Sequence, residues 1–154
     1  MGTKTAAVFM VLAGAAAFAQ SPAANAARTA AKNADVVIPV AEITAEAAFY
    51  PADIDGTRLE VLAVKAPDGT IRTAFNTCQV CYASGRGFYR QEGSVLVCQN
   101  CRNRFRMSQV GRQSGGCNPV PILAENKTLA GDAIIIPKDF LRRSKGIFAN
   151  WKRQ

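Results

Sequence analysis

The chain has 154 residues, 19 Lys and Arg against 11 Asp and Glu, a formal net charge of +8, five cysteines and no histidine. The length fits one small domain. Without histidine there is no imidazole base, no His-ligated metal, no Ser-His-Asp or Cys-His catalytic set, and no haem attachment motif after either Cys pair.

Lys4 followed by the apolar run Thr5 to Ala19 reads as an export signal, with small-x-small cleavage sites at Ala17-Phe18-Ala19 and Ala24-Asn25-Ala26. The run is about 15 residues, short of the roughly 20 that a spanning helix needs. Residues 1–26 are therefore expected to be a signal peptide and the domain to be periplasmic or exported. An uncleaved segment would instead anchor the domain to the membrane by its N-terminus. Cleavage after Ala26 removes Lys4 and no acid, leaving 128 residues with a net charge of +7. Residues 20–35 are Ala-rich with Ser, Pro and Asn, so 27–35 read as a flexible leader and 36–154 as the folded domain.

In chain order, Asp35 to Val40 has the β-branched character of a first strand, with Pro39 marking an edge or an end. Ala41 to Ala48 is expected to make one or two helical turns. Arg58 to Lys65 alternates, with Leu59, Val61 and Ala63 on one face and Leu62 and Val64 on the other. Pro67-Asp68-Gly69 is a turn, and Ile71 to Asn76 returns as the second strand of a hairpin. Tyr82 to Gly93 reads as a loop, Ser94 to Val97 as a short strand, and Arg104 to Met107 as a strand with Phe105 and Met107 on its apolar face. Ser114 to Pro119 is a turn whose two glycines allow close backbone approach to whatever Cys117 touches. Ala133 to Pro137 is a buried strand and Asp139 to Gly146 a short basic helix. Phe140, Leu141, Ile147, Phe148 and Trp151 close the core. The expected fold is mainly β, with a small α+β arrangement as the other option: one compact, hairpin-based domain with a ribbon-like double C-x-x-C metal site.

All five cysteines lie in the forty residues from Cys78 to Cys117. Cys78-Gln-Val-Cys81 and Cys98-Gln-Asn-Cys101 are separated by sixteen residues, the spacing of a four-thiolate metal site. Two intervening residues let a tight turn aim both sulfurs at one point, and two such turns facing each other close a tetrahedron. Both pairs follow predicted strands, so both are mounted on rigid ends. Metal ligation is thus expected from Cys78, Cys81, Cys98 and Cys101, with Cys117 either a participant at the cofactor or a small buried apolar residue. Spacing does not separate an iron–sulfur cluster from zinc, because both accept four thiolates. Two disulfides with one thiol left over is the third option, since exported C-x-x-C pairs are often oxidised.

Six arginines (Arg86, Arg90, Arg102, Arg104, Arg106 and Arg112) surround the pairs against one acid, Glu92. They read as solvated surface residues, as counter-charges to an anionic thiolate centre, or as a face for an acidic partner or an anionic membrane surface. Nucleic-acid binding conflicts with the export signal. Tyr82, Phe88 and Tyr89 are expected to shield the centre. Asp53, Asp55 and Glu92 read as turn and surface acids, with oxygen ligation of a transported iron as the other option.

Several strings together resemble one family: Val36-Val-Ile-Pro39, Phe49-Tyr50, Ile71-Arg72, Ala74-Phe-Asn-Thr-Cys-Gln-Val-Cys-Tyr82, Gly87-Phe-Tyr-Arg-Gln-Glu-Gly93, Val97-Cys-Gln-Asn-Cys101, Arg104-Phe105 and Gly115-Gly-Cys-Asn-Pro119. Over roughly residues 36 to 150 the chain looks like the C-terminal domain of the FtrD-like membrane iron–sulfur proteins. The resemblance implies iron–sulfur ligation and an electron-transfer or accessory role, rather than a classical enzyme, in bacterial iron uptake. It also implies an inner-membrane iron permease and periplasmic iron- or copper-binding proteins as partners. The chain departs from the pattern in two ways. A signal-like segment stands where many members carry transmembrane helices, and Arg102 follows the second pair where a glycine is common. A non-redox binding module, stapled by structural zinc or disulfides, is the alternative function.

Overall fold

A computed structural model describes residues 28–112 and 114–153. The expected signal peptide lies outside the described residues. Among the described residues eleven strands run in chain order: β1 Ala31–Lys32, β2 Val36–Pro39, β3 Ala48–Ile54, β4 Thr57–Lys65, β5 Ile71–Cys78, β6 Tyr89–Glu92, β7 Val95–Cys98, β8 Arg104–Arg106, β9 Pro119–Pro121, β10 Thr128–Ala130 and β11 Ala133–Ile136. One α-helix is present among the described residues, α1 at Lys138–Arg143. The fold is mainly β, as expected.

The strands form three sheets. The central one has the order β1-β3-β4-β5-β9, and the two smaller ones are β10-β11-β2 and β6-β7-β8. The alternation in β4 decides the layering. Leu59, Val61 and Ala63 join one buried cluster with Ile38, Phe75, Ile134, Ile136, Leu141, Phe148 and Trp151. Leu62 and Val64 join a second cluster with Ala74, Tyr89, Leu96, Phe105, Met107, Cys78, Cys81 and Cys98. The central sheet is thus apolar on both faces. The β2-containing sheet and the C-terminal segment cover one face, while the β6-β7-β8 sheet and the cysteines cover the other.

On the first face the C-terminal aromatics pack as the sequence suggested. Phe75 stacks on Phe140 at 5.5 Å between centroids, meets Phe148 edge-on at 5.5 Å, and Phe148 meets Trp151 at 5.6 Å. The Trp151 indole N–H donates to the Asn76 carbonyl at 2.7 Å. That bond ties the first core to the segment leading into Cys78.

Three local expectations differ, and β3 lies where the sequence offered no element. Residues 27–35 are not a free leader over their described part: Ala31 and Lys32 pair in parallel with Ala52 and Asp53, and Arg28 bonds Glu42 at 3.0 Å and stacks over Tyr50. Backbone pairing with an existing sheet edge orders a stretch that has no apolar signal of its own. Ala41 to Ala48 gives only a single 3-10 turn at Val40–Glu42, and Ala48 already opens β3. β3 itself carries Pro51 in its middle, which hides it from a sequence reading. β1 pairs only with Ala52 and Asp53, so β3 has one neighbour at Pro51, where a missing N–H is tolerated. Finally, the loop expected from Tyr82 to Gly93 contains β6, which forms a hairpin with β7.

Candidate metal centre

Cys78 is the last residue of β5, and Cys98 is the last residue of β7. Both pairs are therefore mounted at strand ends, as the motif order implied. Just before Cys78 the pairing of β5 with β9 shifts register: Phe75 faces Val120, but Cys78 faces Pro119. The extra residues, Asn76 and Thr77, form an irregularity that re-aims the strand end, a use of bulges common beside functional sites. Asn76 then works through its side chain. It accepts from Tyr89 N–H at 2.7 Å and donates to Glu60 at 2.7 Å, which locks the start of β6 against β5.

Each pair closes a tight turn. The Cys78 amide donates to the Gly87 carbonyl at 2.7 Å and Ser84 N–H to the Cys81 carbonyl at 3.0 Å. In the second turn Arg102 N–H donates to the Cys98 carbonyl at 3.0 Å, and Cys98 N–H to the Asn103 carbonyl at 3.0 Å. Arg102 sits at φ +61°, in the left-handed region that glycine adopts freely. This explains physically why a glycine suits that position. The two turns are joined by Gln99 N–H donating to the Phe88 carbonyl at 2.8 Å.

The third cysteine segment is stitched to both turns. Gly115 N–H donates to the Gln79 side-chain carbonyl at 2.6 Å, and Gln79 N–H donates to the Asn118 carbonyl at 3.1 Å. The Cys117 carbonyl accepts from the Tyr89 hydroxyl at 2.8 Å and from the Asn103 amide at 3.1 Å. Gly115 and Gly116 have φ of +89° and +71°, yet a Cβ on either would meet nothing within 4 Å. The glycines are needed for backbone conformation rather than for the close approach that the sequence suggested. Close approach occurs instead at Gly87, where a Cβ would lie 2.3 Å from the Cys81 carbonyl oxygen.

All five sulfurs converge, and all are free thiols. They fall into two groups of three rather than one of four. Cys78, Cys81 and Cys117 lie mutually within 4.8 Å, and so do Cys81, Cys98 and Cys101. Cys101 and Cys117 approach to 3.4 Å across the two groups. Cys78, Cys81 and Cys98 are buried, Cys117 is partly buried and Cys101 is exposed. One edge of the cluster therefore reaches solvent.

The thiols differ in acidity. Burial pushes the Cys78 thiol up, but the Tyr89 hydroxyl and the N–H groups of Cys81 and Val80 prevail and hold it below its ordinary value. Burial likewise opposes ionisation of Cys101, yet the Asn103 N–H and the thiols of Cys117, Cys98 and Cys81 bring it down to about 7. Burial raises Cys81, and it raises Cys98 to about 12 despite the N–H groups of Cys101 and Asn100. Cys117 is raised to about 12, first by its hydrogen bond to Cys101 and then by burial. Of the close pair, Cys101 is thus the more acidic thiol. Tyr89 is raised by burial and by the adjacent Cys78 sulfur. Its single hydroxyl hydrogen has two acceptors at hand, the Cys117 carbonyl and the Cys78 thiolate. In the structure the hydroxyl donates to the Cys117 carbonyl at 2.8 Å.

The surrounding residues sort clearly. Tyr89 is the aromatic that shields the sulfurs, while Phe88 packs edge-on to Trp151 and Tyr82 is exposed. Arg102 and Arg104 turn to Glu92, at 3.1 and 3.2 Å, and Arg112 to Asp68 at 3.0 Å. Asp55 accepts from Arg142 and Lys145, and Asp53 caps the Gly56 N–H at 3.0 Å. These acids serve the surface and the turns. Gln79, Asn103 and Asn76 were not singled out from the sequence. Their only signal was a polar side chain inside or just beside a cysteine turn, where side chain-to-backbone bonds are common.

With this geometry in place, comparison with known families is decisive. The model of the family described as "Membrane iron-sulfur containing protein FtrD-like" matches residues 31–148. The chain belongs to the FtrD-like family. The match begins at Ala31, the first residue of β1, which agrees with the leader being part of the folded domain. No curated protein and no solved structure matches the chain. The FtrD-like family is described as membrane-associated, and among the described residues no helix is long and apolar enough to cross a membrane. Both cysteine groups are built of thiols alone, with no carboxylate. That soft donor set fits a thiolate-ligated iron or iron–sulfur centre, and it equally accepts zinc.

Proposed function

We propose that this FtrD-like chain is an exported protein whose cysteines hold an iron–sulfur centre and relay electrons in bacterial iron uptake. The observation that carries the reading is the convergence of five thiols on one spot, four of them wholly or partly shielded and one, Cys101, at the surface. Such a centre supplies one-electron exchange when bound. The chain's own residues do the rest. Strand ends and paired turns fix the sulfurs, Tyr89 and the second core keep water from the buried side, and backbone N–H groups hold Cys78 and Cys101 toward the thiolate form that binds metal. The exposed Cys101 edge is where a redox partner approaches closely enough to exchange an electron.

Family resemblance supports an inner-membrane iron permease and periplasmic iron- or copper-binding proteins as partners, while the Lys4-led apolar run and its small-x-small sites support residues 1–26 as the export signal. Arginines around the cysteine turns favour an acidic face on the partner. Anaerobically purified protein is expected to show visible absorbance that bleaches with dithionite, and about as much acid-labile sulfide as iron. Colourless protein with stoichiometric zinc would refute the redox reading and favour a structural-metal binding module.

A further inference from the structure

We infer that the five cysteines form two adjoining three-sulfur metal seats that share Cys81, so that the chain, once stripped of its centre, takes up a pair of thiophilic divalent ions bridged by the Cys81 thiolate. The inference rests on the reading that these cysteines bind metal, and not on which metal or on electron transfer.

The argument starts from coordination geometry. An ion bound to four thiolates at about 2.3 Å has all its sulfurs about 3.8 Å apart, and it takes no fifth. Here five sulfurs converge, and they group as Cys78, Cys81, Cys117 and as Cys81, Cys98, Cys101. Cys81 is the one member of both groups. A thiolate sulfur has lone pairs enough to bind two ions. The remaining edge between the seats is closed by Cys101 and Cys117 at 3.4 Å, so the seats lie side by side rather than at separate ends of the domain.

The scaffold treats Cys117 as an equal of the paired cysteines. Its segment is tied to the first turn by Gln79 through two hydrogen bonds, at 2.6 and 3.1 Å. It is tied to the second by Asn103 and to β6 by Tyr89, both donating to the Cys117 carbonyl. A cysteine kept only as a small apolar residue has no use for such anchoring, nor for a sulfur 3.4 Å from that of Cys101.

Charge favours the same stoichiometry. Five ionised thiols carry five negative charges in one cluster. One divalent ion leaves three uncompensated, and two leave one. Each seat supplies three thiolates and leaves a fourth tetrahedral position for a ligand from solution. Each ion bound displaces the protons of the thiols it engages.

The test uses the full chain, reduced and stripped of metal, titrated anaerobically with Cd²⁺. Native mass spectrometry counts the bound ions, and ¹¹³Cd NMR reports the bridge. Two Cd²⁺ per chain are expected, with two resonances that show mutual scalar coupling through the shared sulfur. Cys117→Ser and Cys98→Ser, each of which breaks one seat, are each expected to bind one. Saturation of the unaltered chain at one Cd²⁺, two uncoupled resonances, or two ions retained by either variant would overturn the proposal. The unaltered chain decides even where a variant does not fold. A colourless zinc protein that binds two coupled Cd²⁺ would refute the redox reading alone. A dithionite-bleachable protein that binds one Cd²⁺ would refute the paired seats alone.

Discussion

Gly87 offers the sharpest test of how the first cysteine turn is held. A Cβ at this position would lie 2.3 Å from the Cys81 carbonyl oxygen, 2.4 Å from its carbon and 2.7 Å from Tyr82 N. Ordinary contact begins near 3.4 Å, so the Gly87→Ala variant must part the two backbones by about 1 Å. The obstacle is main chain on both sides, so no side chain can swing away. Overpacking of this kind costs about 1–3 kcal/mol. Parting the strands also stretches the bond from Cys78 N–H to the Gly87 carbonyl, 2.7 Å long, which is worth about 1 kcal/mol. Together these give a loss of about 2–4 kcal/mol, or a fall of about 1–2 M in the urea midpoint at a slope near 2 kcal/mol/M. Because Cys81 belongs to both sulfur groups, moving it is also expected to weaken Cd²⁺ binding by about 10–100-fold, the range seen when supports of metal ligands are lost. Gly93→Ala is the control. It has positive φ of +61° but nothing within 4 Å, so it is expected to lose only about 1 kcal/mol and no metal affinity. Equal urea midpoints for the two variants, or unchanged Cd²⁺ affinity in Gly87→Ala, would refute the close-approach argument.

The Arg102→Gly variant is expected to gain about 1 kcal/mol in thermal or urea unfolding, because φ of +61° strains a side chain there and the exposed bond to Glu92 contributes little. A loss of stability would show that the Glu92 contact matters more than the backbone. In metal-free protein, iodoacetamide is expected to label Cys101 first, with a rate that rises through about pH 7, while Cys98 and Cys117 follow only at far higher pH. The linkage has a definite sign. The folded pKa of Cys101 lies below the ordinary 9.0, so the stability it contributes to the metal-free fold is fully present above pH 9 and is lost as pH falls through about 7. A flat unfolding midpoint between pH 9 and 6 would refute this. Tyr89→Phe removes a hydroxyl donor from the Cys78 and Cys117 neighbourhood. It is expected to raise the Cys78 pKa and to lower stability by about 1 kcal/mol, read by thiol titration and urea unfolding. On the other face, Phe148→Ala is expected to cost about 3–5 kcal/mol by opening a cavity against Phe75 and Trp151, without changing the Cd²⁺ count.

What was legible in the sequence was periodic or punctuated. The β4–β5 hairpin was visible because Leu59, Val61 and Ala63 alternate with Leu62 and Val64, and because Pro67-Asp68-Gly69 marks the turn between them. The two C-x-x-C turns at strand ends were visible because short-range geometry alone aims their sulfurs. The C-terminal aromatics announced themselves as core by size and position. β1, β3 and β6 were not legible, since each depends on a partner strand that its own residues do not announce. Ala31–Lys32 has no strand signal except the edge of β3, and Pro51 argues locally against a strand that tolerates it only because its neighbour is short.

Local sequence by itself determined that Cys78, Cys81, Cys98 and Cys101 would stand at rigid turns and that their donors would be thiols, because two-residue spacing and residue type act over a few ångströms. Only the tertiary structure decided that Cys117 joins them, that Cys81 is common to two groups, and that Cys101 alone is exposed. Those facts arise from Gln79, Tyr89 and Asn103 pinning a distant glycine turn against both pairs, and hydrogen bonds across 14 to 36 residues leave no periodic trace in the chain.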